Sequence, residues 1–265
     1  MESERIVRWS IEYLNKIAEF REDHKNIVYL DETWFDTHDI KIKGVSGGSR
    51  KCVMNVPSRR GKRVIILHAG GANGWLKNGL LISVKNSKDS NADYHENMSA
   101  ALFEEWMQHQ LFPNLPEGSI IVMDNAPSHS RLAEKIPNSS TRKADIVSFI
   151  RNKNIDIPES AKTRKDLLGI VSKYNFSKTY AVEELAKSHG FQILRLPPYF
   201  CIFNPIELIW SQLKRKVRKC NDHPESSPKV VELIRAKVET ISPEVWRNCI
   251  NHVESIEQTF RTTPT

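Results

Sequence analysis

The sequence contains little cysteine and no long apolar run. Its four cysteines, Cys52, Cys201, Cys220 and Cys249, are far apart, and none lies in the C-x-x-C pair typical of zinc sites and redox motifs. Cys220 and His223 resemble half of a ligand set, but no second half accompanies them. No segment approaches the roughly 18 apolar residues of a membrane span, and the first residues lack the apolar core of a secretory signal. We therefore expect a soluble, unexported protein with free thiols and no membrane partner.

The composition combines a folded core with an excess of basic charge. At 265 residues and 39% hydrophobic content, the chain can bury the core of one large domain or two small ones. Lys and Arg outnumber Asp and Glu by 39 to 32, which leaves a net charge of +7. Such a balance favours a polyanionic partner, most simply nucleic acid.

The order of predicted elements indicates a mixed α/β sheet. A helix is expected over 4–20 and strands over 27–30, 64–68 and 79–84, the three strands forming an antiparallel meander. Later elements are a helix over 96–112, a strand over 119–123, short helices over 142–189, a strand over 191–196 and helices to the end. A mixed sheet covered by helices on both faces, in this order, is ribonuclease-H-like.

Two of the predicted strands end in a carboxylate. Asp31 follows Ile27–Leu30 and Asp124 follows Ser119–Met123. If the strands are adjacent, both side chains lie at one rim of the sheet, where a cation such as Mg²⁺ would find oxygen ligands. Alternatively, each Asp is a turn or cap residue that closes an apolar run.

A third carboxylate lies at the start of a predicted helix. Asn204 is expected to cap this helix, with Pro205 at its first position and Glu207 at its third. Glu207 is either a functional carboxylate or the capping-box residue that bonds the cap's backbone N–H.

Cationic side chains form two candidate contacts for a phosphodiester backbone. The first lies along the helix that starts at Pro205, where Lys214 and Arg218 share one flank with Glu207. The second is a basic loop of Arg59, Arg60, Lys62 and Arg63. Alternatively, the helical cations only complement the helix dipole, and the loop is a solvated turn.

Three segments resemble the catalytic blocks of mariner-type transposases, which are DDE superfamily endonucleases. They are V-Y-L-D-E-T-W-F, V-M-D-N-A-P-S-H and L-P-P-Y-F-C-I-F-N-P-I-E-L-I-W-S-Q-L-K, and the likeness covers roughly residues 5–220. It implies that Asp31, Asp124 and Glu207 are catalytic and bind two Mg²⁺ or Mn²⁺ ions. One ion would activate a water or a 3′-hydroxyl and the other would stabilise the leaving oxygen, so that strand cleavage and strand transfer occur at one site.

The resemblance also assigns supporting residues, partners and a compartment. Asn125, His129 and Asn204 would lie just behind the metal ligands, and His129 would orient phosphate or water, unless it is a capping or packing residue of its loop. The implied partner is DNA, bound by a homodimer in the nucleus.

The chain departs from the family pattern in three places. Residues 125–206 are a longer span between catalytic blocks than the few dozen residues usual in mariner-type enzymes. Phe200–Phe203 replaces a more polar, proline-containing stretch. Few residues precede Asp31, where relatives carry helix-turn-helix modules, so we do not expect this chain to recognise transposon ends specifically.

These features predict the organisation of the chain. A leading helix over 1–24 would precede a catalytic domain over 25–265, with a helical insertion over 142–189 and C-terminal helices over 228–265. Thr163 and Asp166 would form a capping pair within the insertion. The insertion would clamp DNA, contact a partner subunit, or be a plain solvated helical hairpin.

The leading hypothesis is a metal-dependent DNA endonuclease and strand transferase. A domesticated or truncated transposase-derived protein that binds nucleic acid without cutting it is the alternative. A third hypothesis, a ribonuclease-H-like nuclease acting on RNA, is disfavoured by the family blocks.

Overall fold

The protein is described from a computed structural model, which defines residues 2–40, 61–84, 98–174, 176 and 178–262. The chain divides into two compact units, the first formed by residues 1–129 and 186–265 and the second by residues 130–185. Cys201, Cys220 and Cys249 are free thiols, as expected, while Cys52 lies outside the described residues. No helix in the described part of the chain is long and apolar enough to cross a membrane.

A mixed sheet of six strands forms the centre of the first unit. Its strands are β1 (Ile27–Asp36), β2 (Arg63–Gly71), β3 (Gly74–Trp75), β4 (Leu81–Val84), β5 (Ile120–Met123) and β6 (Gln192–Arg195). The order is β3-β2-β1-β5-β6, with β4 also pairing with β2. β2 pairs antiparallel with β1, β3 and β4, whereas β1–β5 and β5–β6 are parallel. The predicted mixed sheet and its antiparallel first part are confirmed; the two-residue β3 is too short to show an alternating pattern and was not predicted.

Strand β1 is longer than its apolar run. The prediction that the strand ends at Asp31 is wrong. Pairing with β2 continues from Asp31 opposite His68 to Asp36 opposite Arg63. The second half alternates, with Thr33 and Phe35 buried. Parallel pairing with β5 stops earlier, at Tyr29 opposite Val122. Asp31 therefore lies just beyond the parallel part of the sheet.

Eight α-helices accompany the strands in the described residues. They are α1 (Glu2–Glu22), α2 (Ala100–Trp106), α3 (Lys143–Asn152), α4 (Arg164–Lys173), α5 (Ala181–Ser188), α6 (Pro205–Cys220), α7 (Ser227–Val238) and α8 (Pro243–Thr262). The helix predicted over 96–112 is irregular, since a π-helical turn over Met107–Leu111 follows α2, and a 3-10 turn containing Pro113 ends it. The apolar side chains of α6 form one buried stripe, which consists of Ile206, Ile209, Trp210, Leu213 and Val217.

The main core joins the sheet to helices from both ends of the chain. Tyr13 and Ile17 of α1, Trp210 of α6 and Trp246 of α8 are each at most 1% exposed and belong to one cluster with strand residues. Helix α1 is also held by Arg21, which pairs with Glu254 and Glu257 of α8. Helix α1 is therefore packed into the core of the first unit.

The apolar loop before α6 is part of this core. Residues Cys201–Phe203 form a 3-10 turn, and Phe203 is fully buried. Its ring stacks on Tyr13 at 5.7 Å and on Phe200 at 5.2 Å between centroids. The apolar residues that depart from the family pattern therefore fix the start of α6 against α1.

The second unit has a small core of its own. Helices α3 and α4 bury five side chains together, those of Ile146, Phe149, Ile150, Leu167 and Val171. The predicted capping pair is present: the backbone N–H of Asp166 donates to Thr163 Oγ1, and that of Thr163 donates to Asp166 Oδ2. This unit, residues 130–185, includes most of the segment over 142–189 that was predicted as an insertion between the second and third catalytic blocks.

Candidate active site

Asp31 lies in the middle of β1 and is held by a tryptophan of α6. The indole Nε1 of Trp210 donates a hydrogen bond of 3.2 Å to Asp31 Oδ2. Burial raises the pKa of the Asp31 carboxyl well above its usual range, and the negative charges of Glu207 and Asp124 raise it further. The three predicted catalytic carboxylates are therefore close enough to repel one another.

Glu207 lies in the first turn of α6, which begins at Pro205 as predicted. The side chain of Asn204 does not cap this helix, contrary to expectation. Its Nδ2 instead donates to the backbone oxygen of Leu30 at 3.3 Å, because the residue is buried against β1. Asn204 thus ties the start of α6 to the strand residue that precedes Asp31.

The Glu207 carboxyl has its own electrostatic environment. Partial desolvation raises its pKa; Lys214 opposes this shift, and Asp124 adds to it. Glu207 itself is exposed to solvent, on the side of α6 that does not face the core. The carboxylate is therefore accessible to a ligand.

Asp124 is joined to Glu32 through a buried histidine. His129 Nδ1 lies 2.7 Å from Asp124 Oδ1, and His129 Nε2 lies 3.1 Å from Glu32 Oε1. The His129 side chain is 1% exposed, and the centroids of its ring and the Phe103 ring are 4.1 Å apart. Both ring nitrogens thus face carboxylates, so this arrangement leaves neither for phosphate or water, the role that the resemblance implied.

The same contacts set the charges of this group. Burial alone would lower the pKa of His129, but its hydrogen bonds to Asp124 and Glu32 raise it to about 9. Burial would raise the pKa of Asp124, but the hydrogen bond and positive charge of His129 lower it. At neutral pH we therefore expect an imidazolium between two carboxylates.

Hydrogen bonds connect the loop that carries Asp124 and His129 to β6 and to the residue that follows it. Arg195 Nη2 donates to the backbone oxygen of His129 at 2.7 Å, and its Nη1 to that of Asp124 at 3.3 Å. Asn125 Nδ2 donates to the backbone oxygen of Leu196 at 2.7 Å. The Asn125 amide is therefore engaged in holding the loop.

Sequence reasoning missed three of these residues. Glu32 was visible only as the neighbour of Asp31, and Trp210 only as a member of the apolar stripe of α6. Arg195 carried a better signal, because a cation inside the apolar run F-Q-I-L-R-L is unusual. It is 8% exposed, and its partners come from a loop about 70 positions away, which the local pattern does not reveal.

The donor chemistry of the carboxylates fits a hard divalent cation. Asp31, Asp124 and Glu207 offer oxygen ligands, and their mutual repulsion is what a bound cation would relieve. Within residues 2–40, 61–84, 98–174, 176 and 178–262, no group of three His, Cys, Asp or Glu side chains is arranged to hold a metal ion.

Two cations flank an exposed tryptophan beside the carboxylates. The Arg63 guanidinium lies 4.5 Å from the centroid of the Trp34 ring, and Lys214 Nζ lies 5.5 Å from it. Trp34 is 48% exposed and lines a cleft of about 230 Å³ with Glu32, Thr33, Arg63 and Ile65. Arg63 was predicted to lie in a basic loop, but it is the first residue of β2, where it pairs with Asp36 of β1.

The remaining predicted cations are placed differently. Arg218 pairs with Asp39 at 2.9 Å on the surface, which offsets its charge. Lys62 is exposed, and its backbone N–H donates to Thr37 Oγ1 at 2.9 Å. Arg59 and Arg60 lie outside the described residues.

The sheet order and its helical layers define a ribonuclease-H-like fold, as predicted. The family model of the DDE superfamily endonucleases matches residues 26–228, and the chain belongs to that family. The matched span includes Asp31, Asp124 and Glu207, so the family assigned from the three sequence blocks is confirmed.

A solved structure of a mariner transposase shares the fold. The mariner Mos1 paired end complex with Mg aligns at 14% identity with a TM-score of 0.56, over 99% of this chain and 63% of that chain. A pre-cleavage Mos1 transpososome aligns at 14% identity with a TM-score of 0.49, over 94% of this chain and 63% of that chain. This chain thus spans less than two thirds of these two Mos1 chains. Comparison with curated proteins gave no match.

Proposed function

We propose that the chain is a metal-dependent DNA endonuclease and strand transferase of the transposase type. One observation carries the proposal: Asp31, half-buried on β1, is in electrostatic contact with Asp124, which follows β5, and with Glu207 of α6. Three carboxylates brought together from distant parts of the chain cost folding energy, and a divalent cation would compensate that cost. The presence of Mg in the Mos1 complex supports the choice of ion.

The protein's own contribution is to hold the ligands in place. When bound, two Mg²⁺ or Mn²⁺ ions would activate a water or 3′-hydroxyl and stabilise the leaving oxygen of the phosphodiester. Trp210 restrains Asp31, His129 restrains Asp124, and Asn204 fixes the helix that carries Glu207. Such restraint limits the torsional freedom that each carboxylate would lose on binding an ion.

The experiment that tests this function is a nicking and strand-transfer assay on supercoiled plasmid with Mg²⁺ or Mn²⁺. The variant Asp124→Asn serves as the comparison, since it keeps the shape of the side chain and removes a ligand charge. Activity that depends on the metal and is lost in the variant supports the proposal. DNA binding without cleavage in both proteins supports the alternative of a transposase-derived binding protein. Competition between duplex DNA and an RNA–DNA hybrid separates the DNA enzyme from a nuclease acting on RNA.

We also propose that Trp34, Arg63 and Lys214 contact the DNA next to the scissile phosphate. An exposed aromatic ring can stack on a base, and flanking cations attract the backbone. Arg218 would add to this surface only if its pair with Asp39 opens. Lys62, which is exposed just before β2, would also contribute; Arg59 and Arg60 stay candidate contacts from the sequence alone.

Loss of this surface should weaken DNA binding. We expect Trp34→Ala to reduce affinity about 5- to 150-fold, since stacking on one base contributes about 1–3 kcal/mol. Lys214→Gln should reduce the slope of log affinity against log salt by about 1. Fluorescence anisotropy with a labelled duplex that carries a single-stranded overhang measures both, since an unpaired base is available to stack. Lys229→Gln, which removes an exposed cation from α7, is the matched control and should change neither quantity. Wild-type affinity and salt dependence in both site variants would contradict the assignment.

We further propose that two copies act together on DNA, in the nucleus. The Mos1 relative is described as a paired end complex, and joining two ends requires two active sites. Small-angle scattering of the protein with a DNA duplex should give the mass of a dimeric complex, and a strictly monomeric complex would contradict this. Nuclear fluorescence of a tagged chain tests the location.

A further inference from the structure

The contacts around His129 link two strands beyond the point where their backbones pair. Parallel pairing of β1 and β5 ends at Tyr29 and Val122, before either strand reaches its catalytic carboxylate. Beyond that point, His129 bridges Glu32, the neighbour of Asp31, to Asp124. The side-chain bridge therefore continues the connection between the two strands where the backbone ladder stops.

The bridge is built as a rigid element. His129 is 1% exposed, Phe103 packs against its ring, and Arg195 binds its backbone oxygen. Ser128 Oγ donates to Glu32 Oε1 at 3.3 Å, on the oxygen that also faces His129. The imidazole therefore has little freedom to rotate away from its two carboxylates.

The bridge also selects which oxygen of Asp124 is used. Oδ1 receives the backbone N–H of Ala126 at 3.0 Å and faces His129 Nδ1 at 2.7 Å. Oδ1 is engaged twice, and Oδ2 receives no hydrogen bond from the residues that the structure describes, so Oδ2 is the oxygen left to bind a cation. A carboxylate with both oxygens free would lose more torsional freedom on binding the ion.

We propose that Glu32 and His129 are positioning residues that orient Asp124 for metal binding, with Glu32 acting through His129. This inference rests on the proposed function, because it concerns the metal ligands of that site. Glu32 would not bind the ion itself. Its carboxylate fixes the ring of His129, and the ring fixes the carboxylate of Asp124.

The test is Mn²⁺ affinity measured by calorimetry, without DNA and without turnover. We expect Glu32→Gln and His129→Asn each to raise the Kd for Mn²⁺ about 10- to 100-fold, the usual effect of losing a group that orients a metal ligand. Glu117→Gln removes a carboxylate from the exposed turn before β5 and should leave the Kd unchanged. Tm is measured for every variant, and a fall in Tm with an unchanged Kd would overturn the positioning role in favour of a purely structural one.

The double variant Glu32→Gln/His129→Asn distinguishes positioning from direct metal binding. If Glu32 acts only through His129, the double variant should bind Mn²⁺ no more weakly than His129→Asn alone. A further loss of affinity in the double variant would overturn the proposal and make Glu32 a ligand. Wild-type protein that binds no Mn²⁺ would overturn both this inference and the proposed function. Wild-type protein that binds Mn²⁺, with an unaltered Kd in Glu32→Gln, would overturn this inference alone.

Discussion

Replacing Asp31 by asparagine is expected to abolish metal-dependent nicking and to raise the Tm of the metal-free protein. Nicking should fall by about 10³-fold or more, since losing one preorganised electrostatic group already costs about 10²–10³-fold. The stabilisation follows because the pKa of Asp31 is raised in the folded state, so its ionisation opposes folding. An asparagine can still accept the hydrogen bond of Trp210 while removing the repulsion with Glu207 and Asp124.

The sign of this effect gives it a pH dependence. A carboxyl whose pKa is raised on folding contributes stability at low pH and loses that contribution as the pH rises from its unfolded to its folded pKa. The Tm advantage of Asp31→Asn should therefore be largest near neutral pH and should shrink as the pH falls towards about 4. Each kcal/mol gained corresponds to about 2–4 °C in a domain of this size.

Calorimetric melting in EDTA, from pH 4 to pH 8, measures the stability effect. Asp222→Asn, which neutralises an exposed carboxylate in the segment after α6, is the matched control and should change neither Tm nor nicking appreciably. An Asp31→Asn protein that is less stable than wild type at neutral pH would contradict the electrostatic origin of the shift. One that still nicks DNA would remove Asp31 from the catalytic group.

Truncating Trp210 to alanine should produce the largest loss of stability. The side chain is 1% exposed, and the centroids of its ring and the Trp75 ring are 5.3 Å apart. Removing a buried indole costs about 3–5 kcal/mol, from lost burial and from the cavity left behind. The free energy of unfolding, measured in urea, should fall by that amount, and nicking should fall with it because Asp31 loses its hydrogen-bond donor.

Two variants separate the loss of packing from the loss of the hydrogen-bond donor to Asp31. Trp34→Ala removes the same type of side chain from an exposed position and should change the free energy of unfolding by no more than about 0.5 kcal/mol. Trp210→Phe keeps most of the packing and removes the donor to Asp31, so it should reduce nicking with a smaller loss of stability. A loss below about 1 kcal/mol in Trp210→Ala would show that this part of the core is not packed as described.

Much of the fold could be predicted because its signals are local. The apolar runs that became β1, β2 and β5, and the periodic stripe of α6, depend on neighbours within a few positions. The family was also accessible, because the three blocks each contain a carboxylate in a short and specific context. Where local signals were weak, prediction failed: the alternating second half of β1 was not read as strand, and the side chain of Asn204 was assigned to a cap.

Long-range contacts account for what could not be predicted. Asn204 contacts Leu30 instead of capping α6 because burial against β1 offers its amide a backbone acceptor that no neighbour in sequence reveals. The pairing of Arg63 with Trp34 depends on the register of β1 against β2. Neither contact has a spacing rule that a sequence pattern could display.

The sequence by itself determined most of the elements and the family, and it singled out the three candidate carboxylates, because periodicity, turn chemistry and short motifs are properties of neighbouring residues. Only the tertiary structure decided how those carboxylates are held. His129 bridges Glu32 and Asp124, and Arg195 donates a hydrogen bond to the backbone oxygen of His129. These contacts join residues from three strands and their loops. Such contacts form because buried polar groups must find partners, and which partner is within reach depends on the packing of the whole sheet.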